Sequence, residues 1–146
     1  MEKIPYESYQ EELVYLRRYF HTWPEVSMEE RKTTKYVFEY LQKLGLEPQM
    51  TGEVGVTAMV WAREEIRERF RTVAVRSELD AIPVQELNEV SWKSREKGVM
   101  HACGHDAIIA AGLVLAKICV QYRESLPVNV KFLFQPGEEN GQGTQM

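Results

Sequence analysis

The stretch Met100-His101-Ala102-Cys103-Gly104-His105-Asp106, running on into AIIAAGLVLA at 107–116, decides how this chain is read. Titratable groups pass directly into a segment that is apolar on nearly every side. Asp106 stands where an N-cap belongs, which predicts a helix over Ala107 to Ala116. A surface helix of a globular protein carries a single apolar stripe, so a helix that is apolar nearly all round packs on more than one side.

The flanking segments supply layers for it to pack against. Downstream, Val128, Val130, Phe132 and Phe134 alternate with Asn129 and Lys131 until Pro136 breaks the run, the pattern of a strand. Upstream, Thr72 to Arg76 is short and apolar enough to be a buried strand. Glu86 to Gly98, between that strand and the helix, is polar and irregular and reads as a loop. Val54, Val56, Ala58 and Val60 alternate with Gly55, Thr57 and Met59, which predicts a further strand. Arg63 to Arg71, with four Arg and three Glu around Ile66, reads as a solvated loop or short exposed helix.

Two helices precede these elements. Leu13, Leu16 and Phe20 recur at helical spacing over Tyr9 to His21, and Trp23-Pro24 ends that helix. Tyr36, Val37, Tyr40, Leu41 and Leu44 form one stripe over 28–44. There Ser27 with Glu30 matches a capping box, and Gly45 matches a left-handed helix end. Helices interleaved with short strands indicate an α/β layered sheet.

Composition narrows the classes. At 146 residues the chain suits one domain of roughly 100–200 residues. With 44% apolar and 27% charged residues it has the make-up of a globular protein rather than a disordered or fibrous one. Lys and Arg total 18 against 22 Asp and Glu, a net charge of −4, so no nucleic-acid partner is expected. Two cysteines, Cys103 and Cys119, do not make a secreted disulfide framework. The N-terminus is polar, and the most apolar stretch, Ala107 to Val120, is too short to span a bilayer and carries Lys117. A cytoplasmic protein with no membrane partner is the expectation.

Three clusters carry chemistry that a bland core does not need. Glu78-Leu79-Asp80 follows a predicted strand, Cys103-Gly104-His105 precedes the apolar helix, and Glu138-Glu139 follows the last strand. Taken singly, each has an ordinary reading as solvated charge or as a buried free cysteine beside a capping Asp. Cys-x-His places a thiolate and an imidazole close enough for one metal, and a helix N-terminus favours the thiolate. Adjacent carboxylates on an extended turn point apart, so that one binds a metal while the other faces water. All three clusters fall at strand ends or a helix start, the edge where α/β sheets bind ligands.

With these motifs in place the sequence resembles the metal-dependent amidohydrolases and exopeptidases related to aminoacylase. Within them it is similar to the branch of hippurate hydrolase, N-acyl-L-amino acid amidohydrolase, N-acetyldiaminopimelate deacetylase and indole-acetyl-amino-acid hydrolase. The matching segments are RRYFHTWPE at 17–25, EERKTT at 29–34, RSELDAIPVQE at 76–86, GVMHACGHDA at 98–107 and FQPGEENGQG at 134–143.

The resemblance implies a three-layer, zinc-exopeptidase-like α/β catalytic domain, with residues 1–146 as its N-terminal part, truncated and without the inserted lid domain. It implies Cys103, His105 and Glu139 as metal ligands, Glu138 as general base, and Asp80 or Asp106 as the carboxylate that holds the ligand imidazole. The complete site would take two divalent metals bridged by Cys103. Zinc or manganese is expected, with cobalt or nickel also compatible with the ligand types. The expected substrate is an N-acyl amino acid or related small amide, and a homo-oligomer of the complete protein is compatible with the resemblance, its oligomeric state being left open.

Glu78 stands where the family usually has Asp, Ile108 where it usually has His, and Gly137 where Ala is commoner. The family's two further ligand histidines have no counterpart among His21, His101 and His105, so this stretch alone is expected to be inactive, with exposed sheet edges that favour self-association. Two other readings remain open at this point. One is a non-catalytic remnant that binds a single metal or a partner. The other is a hydrolase with Cys103 as nucleophile beside His101 or His105.

Overall fold

A computed structural model describes residues 4–63 and 71–143. Helix α1 spans Gln10–Thr22 after a single 3-10 turn at Tyr6–Tyr9, and α2 spans Arg31–Lys43. Strands β1 (Gln49–Met50), β2 (Val56–Val60) and β3 (Thr72–Glu78) follow. Helix α3 runs His105–Gln121 and leads through a short 3-10 turn to β4 (Asn129–Gln135). The charged run at 63–71 lies, apart from Arg63 and Arg71, outside the described residues.

The strands form one sheet in the order β1-β2-β4-β3, with β3 parallel to β4 and the remaining pairs antiparallel. This is the expected α/β arrangement. Val56, Ala58 and Val60 of β2 and Val130, Phe132 and Phe134 of β4 are buried, and they meet Leu16, Phe20, Val37, Leu41, Ile109 and Leu113 from the helices. Alternation in the strands thus supplies one apolar face, and the helical stripes cover it. Truncating any of these large buried side chains to Ala is expected to cost about 2–5 kcal/mol.

Three expectations about the elements change. β3 is exposed along most of its length, with Val73 49% accessible. Among the described residues it stands at the sheet edge, and pairing order cannot be read from its own apolar composition. Helix α2 begins at Arg31 rather than Met28, because neither Ser27 nor Glu30 acts as a capping box. Ser27 and Glu30 instead reach across the fold, and the Glu25 carboxylate accepts the N–H groups of Lys32 at 3.1 Å and Thr33 at 2.8 Å. Helix α3 has Gly104 at its N-cap with no side-chain cap, since the Asp106 carboxylate is engaged elsewhere.

The far end of α2 is as expected. Gly45 has φ +79°, its N–H donates to the Gln42 carbonyl at 2.9 Å, and the Leu46 N–H donates to the Leu41 carbonyl at 3.2 Å. That pairing is a Schellman closure, and it needs the left-handed residue at Gly45. No helix among the described residues is long and apolar enough to cross a membrane.

Candidate metal centre

The chain direction of β3 and β4 gathers the three chemical clusters. Both strands end at one edge of the sheet, where the Leu79 N–H donates to the Gln135 carbonyl at 2.8 Å. Asp80 lies just past β3, Glu138 and Glu139 lie just past β4, and His105 opens α3 at the same edge.

One ligand atom each from Cys103, His105 and Glu139 lies within 4.8 Å of the others. His105 is buried, whereas Cys103 is exposed, and the Glu139 side chain is 23% accessible. The ring is oriented by its Nδ1, which lies 2.9 Å from the Asp80 carbonyl oxygen and 3.4 Å from Asp80 Oδ1. A carbonyl only accepts, so Nδ1 carries a proton and Nε2 is the ring nitrogen left to face a metal. Nε2 sits 3.9 Å from both Glu138 Oε2 and Glu139 Oε1. A thiol, an imidazole nitrogen and a carboxylate in this arrangement suit a divalent metal, with Asp80 fixing the imidazole as such sites require.

Asp80 has further work. Its Oδ2 accepts the Ser27 hydroxyl at 2.6 Å and the Glu139 N–H at 2.8 Å, which ties the ligand turn to the segment before α2. Asp106 lies away from His105. Its carboxylate meets His21 Nδ1 and Arg17 Nε, each at 2.8 Å, so of the two carboxylates suggested as holders of the imidazole only Asp80 is in place. His21 Nε2 lies 3.1 Å from Glu86 Oε1, leaving His21 buried between two carboxylates.

Hydrogen bonding to Asp106 raises the His21 pKa, outweighing burial, and Glu86 adds to the rise. Burial would raise the Asp106 and Glu86 carboxyls, yet His21 and neighbouring donors draw both below their ordinary values. His101 is buried with neither ring nitrogen hydrogen-bonded among the described residues, and desolvation pushes its pKa down to about 4.

The Cys103 thiol departs from the helix-dipole expectation. Its hydrogen bond to the Glu139 carboxylate, reinforced by that group's charge, raises its pKa above the ordinary thiol value. A thiol held protonated in this way is poorly suited to act as a free nucleophile.

Glu138 is partly exposed beside the three donors, with Oε1 3.8 Å from Arg76 Nη2. Arg76 also contacts Glu78 at 3.0 Å and donates to Gln135 at 2.8 Å, so Glu78 serves this ion pair and stands apart from the donor trio. Arg76 and Ser27 were missed as site residues. The position of Arg76 near the end of β3, two residues from a carboxylate, was the available signal. Ile108 is exposed on the first turn of α3.

Residues 74–146 match the sequence profile of Peptidase family M20/M25/M40, half of the chain. Thermostable carboxypeptidase 2 of Saccharolobus solfataricus is 40% identical over 129 residues, 88% of this chain and 32% of that protein. The YXEP protein of Bacillus subtilis, a dinuclear metal-binding peptidase of the M20 family, superposes with a TM-score of 0.87 at 33% identity, over 95% of this chain and 38% of its own. Human carnosine dipeptidase 1 shares the fold at TM-score 0.67 and 19% identity, over 92% of this chain and 34% of its own. The chain belongs to the M20/M25/M40 peptidase family and has the α/β fold of the family's catalytic domain. It spans about a third of the length of the curated relatives it matches.

Proposed function

We propose that residues 1–146 are the N-terminal part of a catalytic domain that hydrolyses the amide bond of N-acyl amino acids or related small amides. The observation that carries the reading is the convergence of Cys103, His105 and Glu139 within 4.8 Å, with the Glu138 carboxylate 3.9 Å from His105 Nε2. Cys103, His105 and Glu139 would hold a divalent metal, two per complete site, with zinc or manganese suited to the ligand types. When bound, the metal supplies Lewis acidity to the amide carbonyl and lowers the pKa of nearby water.

The chain's own residues do the rest. Glu138 accepts the proton of the attacking water as the new C–O bond forms, and returns it to the amine nitrogen as the C–N bond breaks. Arg76 holds the Glu138 carboxylate from the far side, and Asp80 holds both His105 and the Glu139 amide.

The test is amino-acid release from N-acetyl and N-benzoyl amino acids with and without added zinc or manganese. It is run on the 146-residue chain and on the protein at the length of its relatives. Metal-dependent release at full length, with little or none from the 146-residue chain, is expected; metal-independent release would contradict the proposal.

A further inference from the structure

We infer that Glu30 is a positioning residue that fixes the Gly137-Glu138-Glu139 turn from behind. The inference rests on the metal-hydrolase reading above. Glu30 is 0% exposed, and its Oε1 accepts the Gly137 N–H at 2.7 Å, across 107 positions of sequence. Gly137 has φ +59° and lies directly before the base and the ligand, so its amide sets the direction in which both side chains leave the turn.

The next amide but one is held in the same manner. The Glu139 N–H ends on Asp80 Oδ2, which also accepts the Ser27 hydroxyl. Main-chain amides on both sides of Glu138 therefore terminate on buried carboxyl groups, and both anchors lead back to the 27–30 segment.

A carboxyl in this place is costly. Burial disfavours its charged form, and Oε2 has no hydrogen-bond partner among the described residues. An aliphatic side chain would fill the volume at less cost, so the carboxyl is accounted for by the amides it meets, that of Gly137 across the fold and those of Met28 and Glu30 beside it. Helix capping does not account for it, since Glu25 supplies the side-chain acceptors for the first turn of α2.

The experiment compares wild type, Glu30→Gln and Glu30→Leu by cobalt(II) titration of the visible bands and by amide hydrogen exchange. Gln keeps an acceptor for Gly137 and is expected to bind cobalt close to wild type, whereas Leu weakens binding by about 10–100-fold. A folded Leu variant that binds as tightly as wild type overturns the inference, as does a folded Gln variant no better than Leu.

Wild-type exchange at the Gly137 amide is expected to be slow, and exchange at the rate of a solvated loop overturns the inference whether or not the Leu variant folds. Failure of wild type to bind cobalt sinks the metal reading instead, and the Gly137 amide still decides the role of Glu30.

Discussion

His105 donates its Nδ1 proton to the main-chain carbonyl of Asp80 at 2.9 Å, which turns Nε2 toward Glu138 and Glu139. Asp80 acts twice, since its side chain separately holds the Glu139 amide at 2.8 Å. One residue at the end of β3 thus orients both the imidazole that opens α3 and the turn past β4, the proposed ligands.

Replacing Asp80 by Ala spares the carbonyl contact with His105 but removes the acceptor for Ser27 and Glu139. Metal affinity is expected to fall by about 10–100-fold, measured by competition with a chromophoric chelator. Wild-type affinity in Asp80→Ala would show that the side-chain anchor is idle.

Glu138→Gln separates the base from the ligands. Zinc stoichiometry should be unchanged, while turnover of the protein at the length of its relatives falls by about 10²–10⁴-fold. An undiminished rate would remove Glu138 from its assigned role.

The His21 cluster makes stability depend on pH. The folded pKa of His21 is raised, so its contribution is complete below the ordinary value of 6.5 and is lost as pH rises through the folded value. Glu86 and Asp106 are lowered and act oppositely, losing their contribution only as pH falls below their ordinary values of 4.5 and 3.8. Buried His101, lowered to about 4, opposes folding only below 6.5. Denaturant melts of wild type are therefore expected to show stability declining as pH rises above about 6.5, with Asp106, Glu86 and Arg17 as the charges facing His21. His21→Gln should abolish that slope and cost about 3 kcal/mol near pH 6, because buried Glu86 loses its cation while Asp106 keeps Arg17. A slope that survives the substitution would place its origin elsewhere.

Gly137 sits in a left-handed turn, φ +59°, with little room for a side chain. A Cβ there would stand 2.6 Å from Met28 Sδ in a left-handed backbone. Gly137→Ala is expected to lose about 1–2 kcal/mol in urea melts, and equal or greater stability would count against the strained turn.

Much of this arrangement was legible because its signals are local. Alternation set β2 and β4, the spacing of Leu13, Leu16 and Phe20 set α1, and Cys-x-His before an apolar helix marked two of the three clustered donors. What was misread depends on partners distant in sequence. Ser27 and Glu30 fit a capping box locally, but Asp80 and Gly137 compete for those side chains and win. Asp106 looked like an N-cap, yet it is bound to His21 from α1. The exposure of β3 follows from sheet order, which strand composition does not encode.

The most direct test of the metal centre is zinc K-edge absorption on the zinc-loaded chain. The account predicts a sulfur shell at about 2.3 Å from Cys103 and a nitrogen and oxygen shell at about 2.0–2.2 Å. The sulfur shell should vanish in Cys103→Ser. A zinc environment without sulfur in the wild-type chain would contradict it.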